Sequence, residues 1–172
     1  YEARDLPRME TDLNVRMNYL KKTNKKINFI DKLDEDLVSK PGRKLAMFNT
    51  RKKALRFSQT ADIYLTSGIR KIDRKKHIET LSDKKIKLAD ISVVSTQVIE
   101  AGVDVSFDTM FRELSPLDNI VQAAGRLNRE AEKEDATLYI FDSKSHIPYN
   151  DLEFSLSRDY FSKNPITSLI HL

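Results

Sequence analysis

"DISVVSTQV", residues 90–98, sets Ile91, Val93 and Val94 in a run with no polar–apolar alternation over its centre. A strand with one wet face alternates, whereas a strand covered on both faces does not. The run therefore predicts a strand in the interior of a parallel sheet. On its amino-terminal side, "RKLAMFNT" (43–50), opened by the turn pair Pro41 and Gly42, and "ADIYLTSG" (61–68) read as further strands. On its carboxyl-terminal side, "FDTMFREL" (107–114) and "ATLYIFD" (136–142) read the same way.

Helical patterns fill the intervals. "RKKALRFSQ" follows Thr50, a candidate N-cap, and "KIDRKKHIETLSD" carries Asp73 as a candidate cap. "SPLDNIVQAAG" (115–125) opens on the start signals Ser115 and Pro116, and "DLEFSLSRDYFS" (151–162) is a last helix. Nearer the start, "VRMNYLKK" reads as an edge strand or a helix, and "INFIDKLDEDLVSK" as a helix packing on the sheet. Strands alternating with helices imply right-handed crossovers and an α/β fold, its mostly parallel sheet covered on both faces. In such sheets ligands gather at the carboxyl ends of strands, which directs attention to the loops after Asn49, Leu65, Thr96 and Glu113.

Composition excludes several function classes. The chain has 172 residues, the size of one domain, and opens on Tyr1 rather than methionine, which reads as a fragment of a longer protein. The absence of cysteine removes disulfides, zinc–thiolate sites and thiol nucleophiles, and fits a reducing cytoplasm. No apolar run approaches the roughly 20 residues that span a bilayer. Thirty basic residues against 26 acids give a net charge of +4. The basic residues cluster in "KKTNKK" (21–26), "RKK" (51–53) and "RKIDRKK" (70–76), either as solvated surface or as phosphate contacts. The four glycines, Gly42, Gly68, Gly102 and Gly125, form no GxxxxGK[ST] phosphate loop and no GxGxxG. His77, His146 and His171 form no His-Asp dyad and no HExxH, so no metal site is read here. A complete NTPase, hydrolase or dinucleotide enzyme is not expected within these residues.

Two stretches can carry chemistry. In "VSTQVIEAGVDV" (94–105), Gly102 permits close backbone approach, and Asp104 could accept from ribose hydroxyls or cap a turn. In "NIVQAAGRLNRE" (119–130), a continuous helix would put Gln122, Arg126 and Arg129 on one stripe and Ile120, Ala124 and Leu127 on another, facing the sheet. Alternatively the helix ends near Gly125 and the arginines swing from a turn. Either way an amide and two guanidiniums suit phosphate oxygens, unless the stripe is simply solvated.

The pair ST-x-V-x-x-x-G-x-D and Q-x-x-G-R-x-x-R, about 20 residues apart, resembles motifs V and VI of superfamily 2 helicases. The longer stretch "VSTQVIEAGVDVSFDTMFRELSPLDNIVQAAGRLNRE" (94–130) is similar to the CRISPR-associated helicase–nuclease of type I systems. "AMFNTRKKA" resembles that family's strand-end NT segment. "IYLTSGIRKIDR" resembles its LH-S-R-F…DR segment, with Thr66 in place of the histidine and Gly68 as a second departure. The matches cover about residues 43–142.

The resemblance implies one helicase C-terminal domain over 1–172: the second lobe, a RecA-like three-layer α-β-α sandwich. It implies ATP in a cleft between two lobes, with Mg²⁺ held mainly by the first lobe. Arg126 and Arg129 would then be arginine fingers, and Gln122 would contact the γ-phosphate or order the attacking water. Asp104 would bind ribose hydroxyls beside Gly102. Asn49, Thr50 and Ser67 would contact phosphates of single-stranded DNA, and Thr96 would couple them to the nucleotide. The implied partners are single-stranded DNA, the first RecA-like lobe, a His-Asp nuclease domain and an RNA-guided surveillance complex, in the cytoplasm and away from membranes. Other readings are a lobe of a different superfamily 2 helicase, of DEAD/DEAH type, or a non-catalytic RecA-like binding module.

Overall fold

The computed structural model describes Val15 and residues 25–30, 32–39, 41–83, 90–100, 105–128 and 136–163. In chain order these form β1 (Lys25–Ile30), α1 (Glu35–Ser39), β2 (Arg43–Met47), α2 (Arg51–Arg56), β3 (Ile63–Leu65), α3 (Lys71–Ser82), β4 (Ile91–Ser95), β5 (Thr109–Glu113), α4 (Leu117–Ala124), β6 (Ala136–Phe141) and α5 (Asp151–Lys163). Short 3₁₀ turns stand at Ser58–Thr60 and Gln97–Glu100. All six strands join one sheet in the order β1-β6-β5-β2-β4-β3, and every pairing is parallel.

The period of two along the strands sorts the core into two layers. Leu45, Met47, Val93, Met110, Leu138 and Ile140 face one cluster, which α3, α4 and α5 close with Leu81, Leu117, Ile120, Phe154 and Phe161. Ala46, Phe48, Val94, Phe111 and Phe141 face the other, closed by Val38 of α1 and Ala54 of α2. Adjacent residues thus point to opposite faces and both faces are dry, as the unalternating run at 90–98 predicts. Every residue of β2 and β4 is buried. Each fully buried large aliphatic side chain contributes roughly 1.5–3 kcal/mol.

The turn into β2 needs glycine, because Gly42 has φ +116°, and its N–H donates to Asp90 Oδ1 at 2.7 Å. Arg43 follows, buried within the fold. It donates from Nε to Ser106 O and from Nη2 to Leu81 O, both at 2.7 Å, with its guanidinium 5.6 Å from the Phe107 ring centre. Burial lowers its pKa, and nearby Asp108 opposes that shift.

Two expectations are corrected. "INFI" is strand, the last four residues of β1 beside β6, and among the described residues of "INFIDKLDEDLVSK" only Glu35–Ser39 are helical. The strand pattern wins because β6 supplies the backbone partners. Asp73 does not cap α3. The N-cap is Arg70, without a side-chain bond, and Asp73 sits in the first turn, 2.6 Å from Arg70 Nε. The helix read over 115–125 forms as Leu117–Ala124, with Pro116 as its N-cap residue and no side-chain cap bond. Thr50 does cap α2, its Oγ1 accepting from Lys53 N at 3.4 Å. Of "VRMNYLKK", only Val15 lies within the described residues.

Candidate functional site

The sequence-derived candidates fall at two opposite edges of the sheet. Asn49, Thr50, Ser67 and Thr96 follow β2, β3 and β4 at the carboxyl edge. Arg126 stands at the amino edge. The chain leaving β4 crosses the molecule, so that Ser106 accepts from Arg43, the first residue of β2. Phe107 then pairs with Leu127 as an isolated parallel bridge. Phe107 N–H donates to Arg126 O at 3.1 Å, and Asn128 N–H donates to Phe107 O at 2.8 Å. This bridge brings the segment just beyond Gly102 and Asp104 against the segment carrying Arg126. Gly102, Asp104 and Arg129 lie outside the described residues.

Helix α4 seats this segment. Leu117, Ile120, Ala123 and Ala124 are buried and Gln122 is exposed, so the apolar stripe faces the sheet as its spacing predicts. The helix stops at Ala124, which decides between the two readings of the stretch: Arg126 is carried by a turn. Gly125 remains right-handed, at φ −61° and ψ −15°, and a Cβ there would come within 3.2 Å of Gln122 O. The left-handed residue of this segment is Asn128, at φ 46°. Lys25, from the start of β1, donates to Ala124 O at 2.9 Å. A buried ammonium thus meets the negative end of α4, and burial lowers its pKa.

At the carboxyl edge the candidates differ in exposure. Ser67 is exposed and Thr50 half-buried. Thr96 is 5% exposed, and its N–H donates to Leu65 O at 3.3 Å. Asn49 is 4% exposed and its side chain is committed within the fold. Nδ2 donates to Leu114 O at 2.7 Å, and Oδ1 accepts from Arg112 Nη1 at 2.7 Å and from Tyr149 Oη at 3.3 Å.

Sequence reading missed the rest of this polar network. Arg112 is fully buried, donating from Nη1 to Asn49 Oδ1 and to Glu113 O, and from Nη2 to Tyr149 Oη at 3.0 Å. Gln97, next to Thr96, donates to the same Tyr149 oxygen at 2.5 Å. Glu113 is also fully buried; it accepts from Asn49 N at 2.7 Å, from Lys53 Nζ at 2.5 Å, and from Ser143 Oγ. The available signal was "RE" inside the apolar run "MFREL". Two adjacent charges where both faces are buried require internal partners. Farther along, Asp142 at the end of β6 holds α5 through Arg158 Nε at 2.9 Å. Burial would raise the Asp142 pKa, but the bonds from Lys144 N–H and Arg158 outweigh it and the net shift is downward.

Among the described residues no group of three or more His, Cys, Asp or Glu could hold a metal ion, and no helix is long and apolar enough to cross a membrane.

A family model described as the CRISPR-associated nuclease/helicase Cas3, C-terminal, matches residues 37–132. The CRISPR-associated nuclease/helicase Cas3 of Haloferax volcanii is 51% identical over 71 residues, 40% of this chain and 7% of that protein. A putative CRISPR-associated nuclease/helicase Cas3 of Methanocaldococcus jannaschii is 32% identical over 124 residues, 66% of this chain and 17% of the relative. The chain therefore spans under a fifth of the length of either relative. The solved structure of T. fusca Cas3 with AMPPNP has TM-score 0.59 at 19% identity, covering 85% of this chain and 22% of that one. That likeness concerns the fold, a RecA-like α/β sandwich.

Proposed function

Because the chain belongs to the family of the Cas3 nuclease/helicase C-terminal domain, we propose that it serves as the second lobe of an ATP-dependent translocase on single-stranded DNA. The observation that carries this reading is the Phe107–Leu127 bridge, which gathers the surroundings of two motifs at one edge. ATP held by a first lobe would meet that edge. Arg126 and Arg129 act there as arginine fingers. Phosphoryl transfer spreads negative charge over the equatorial oxygens, and a fixed guanidinium that offsets it is typically worth about 10³–10⁵ in rate. Gln122 contacts the γ-phosphate or orders the attacking water, Asp104 binds ribose hydroxyls, and Gly102 lets the backbone approach. Mg²⁺ is held mainly by the first lobe.

At the opposite edge, Thr50 and Ser67 contact DNA phosphates, and Thr96 couples that edge to the nucleotide. Asn49 acts there by holding the strand end, since its side chain is engaged by Leu114 and Arg112. ATP touches both lobes only when they close, so binding shifts the lobe–lobe equilibrium and hydrolysis releases it. A His-Asp nuclease domain and an RNA-guided surveillance complex in the cytoplasm are the further partners this reading brings.

The test has two arms. The 172-residue chain alone should show no DNA-stimulated ATP hydrolysis, since its sequence contains no phosphate loop. In a protein that joins this lobe to the first, Arg129→Ala should lower kcat by about 10³-fold or more. Binding of a fluorescent ATP analogue should stay within a few-fold of wild type. Stoichiometric turnover by the isolated chain, or near-normal kcat in the variant, would overturn the proposal.

A further inference from the structure

The ends of β2 and β3 flank the end of β4, and between them lies an arrangement that the helicase reading leaves unassigned. A Cβ built on Gly68 would stand 2.9 Å from Arg51 Nη1 and 3.4 Å from Arg51 Cδ. The Arg51 side chain, starting from the end of β2, lies where any other residue 68 would place its own. Gly68 has no positive φ, so the backbone does not require glycine there. The space does.

Neighbouring cations are engaged: Lys53 with Glu113, and Arg70 with Asp73. Among the described residues no hydrogen bond or ion pair holds the exposed Arg51 guanidinium. Exposed Ser67 precedes Gly68, whose N–H donates to Thr66 Oγ1 at 3.3 Å. A guanidinium lying over a bare backbone beside a free-standing hydroxyl presents planar donors to a phosphodiester, with no side chain to block its approach.

We infer that Arg51 supplies, from the β2 end, the cation that grips a backbone phosphate of single-stranded nucleic acid at the β3 end. Gly68 is the residue that makes room for it. The inference rests on the reading of the carboxyl edge as a nucleic-acid face, and it adds that one charge position is served from across the end of β4.

The experiment measures binding of a labelled oligothymidylate to the chain by fluorescence anisotropy over a salt series. Arg51→Ala should weaken binding about tenfold. It should also reduce the slope of log K against log salt by about 0.7, the value for one lost contact on a single strand. Lys75→Ala, on α3 and paired with Glu79 in this fold, should change neither quantity. Restoring the charge as Gly68→Arg in the Arg51→Ala background should recover most of the affinity and the slope, because both positions address one phosphate. Circular dichroism melts check that each variant folds. If wild type binds and Arg51→Ala binds within twofold at an unchanged slope, the inference fails while the nucleic-acid reading stands. Loss at Arg51→Ala without recovery in the double variant overturns the shared position. If wild type shows no salt-dependent binding, the underlying reading fails and takes the inference with it.

Discussion

Asp62 shows how much one carboxylate does where two strands begin. Its Oδ2 accepts from Ser92 N–H and Ser92 Oγ, both at 2.8 Å, while Asp62 N–H donates back to Ser92 O at 3.0 Å. The backbone bond from Ser92, then its hydroxyl bond, lower the Asp62 pKa against a smaller effect of burial. A carboxylate with a depressed folded pKa contributes stability that is present above its unfolded value, about 3.9, and is lost as pH falls through the folded one. Asp62 is exposed, so solvent screening keeps the contribution small. Asp62→Asn should therefore cost about 1 kcal/mol at neutral pH. The penalty should shrink toward zero on acidification below pH 4. Urea denaturation of both proteins at neutral and acid pH measures it. A penalty that persisted unchanged in acid would show that the ionised form carries none of the effect.

Among the elements, β2, β5 and the segment after β6 depend on a single guanidinium. Arg112 is fully buried, and its acceptors are the Asn49 amide, the Glu113 carbonyl and the Tyr149 hydroxyl. Replacing a buried ion by an apolar residue relieves desolvation, which favours the variant. Leaving its acceptors buried and unpaired opposes it. Here the second effect wins, because the Asn49 side chain stays fixed by its bond to Leu114 O and the Glu113 carbonyl by its strand, and neither can turn to water. Arg112→Met should destabilise the chain by about 3 kcal/mol, read from the shift in a urea midpoint at constant slope. A change under about 0.5 kcal/mol, the scale of an ordinary surface substitution, would mean that the network is dispensable. The elements themselves were legible to the extent that their pattern was local. β4 and β2 are buried on both faces and announce it by unbroken apolar runs. β1 is an edge strand with one partner and a partly exposed alternation, and the acidic run that follows it blurred strand into helix. Its state is imposed by β6, which lies more than 100 residues away in sequence. The network around Arg112 was illegible for the same reason: Tyr149 meets Asn49 across a separation of 100 residues.

For the molecule as a whole, the sequence places two motifs about 20 residues apart but not at which end of the sheet each acts. The carboxyl-edge rule directed attention to the loops after Asn49, Leu65, Thr96 and Glu113. The structure instead carries the chain from Thr96, at the carboxyl edge, across to Phe107, which pairs beside Arg126 at the amino edge. Separated edges have a kinetic consequence under the proposed function. A substitution at one edge should change one ligand's parameter and leave the other's nearly alone, except at the residue where the crossing starts. In the two-lobed protein, Arg126→Ala should lower kcat for ATP by about 10³-fold or more. Its ssDNA affinity, measured by anisotropy, should stay within twofold of wild type. Thr96→Val keeps the shape of a residue only 5% exposed and removes its hydroxyl. It should raise the ssDNA concentration for half-maximal ATPase stimulation about tenfold, the loss expected for one hydrogen bond of the coupling, with ATP affinity unchanged. Both parameters are coupled only through lobe closure, so the ratio of stimulated to basal turnover should also fall in Thr96→Val. Equal damage to DNA and ATP parameters in Arg126→Ala would mean that the two edges do not act separately, and that one shared cleft serves both ligands after all.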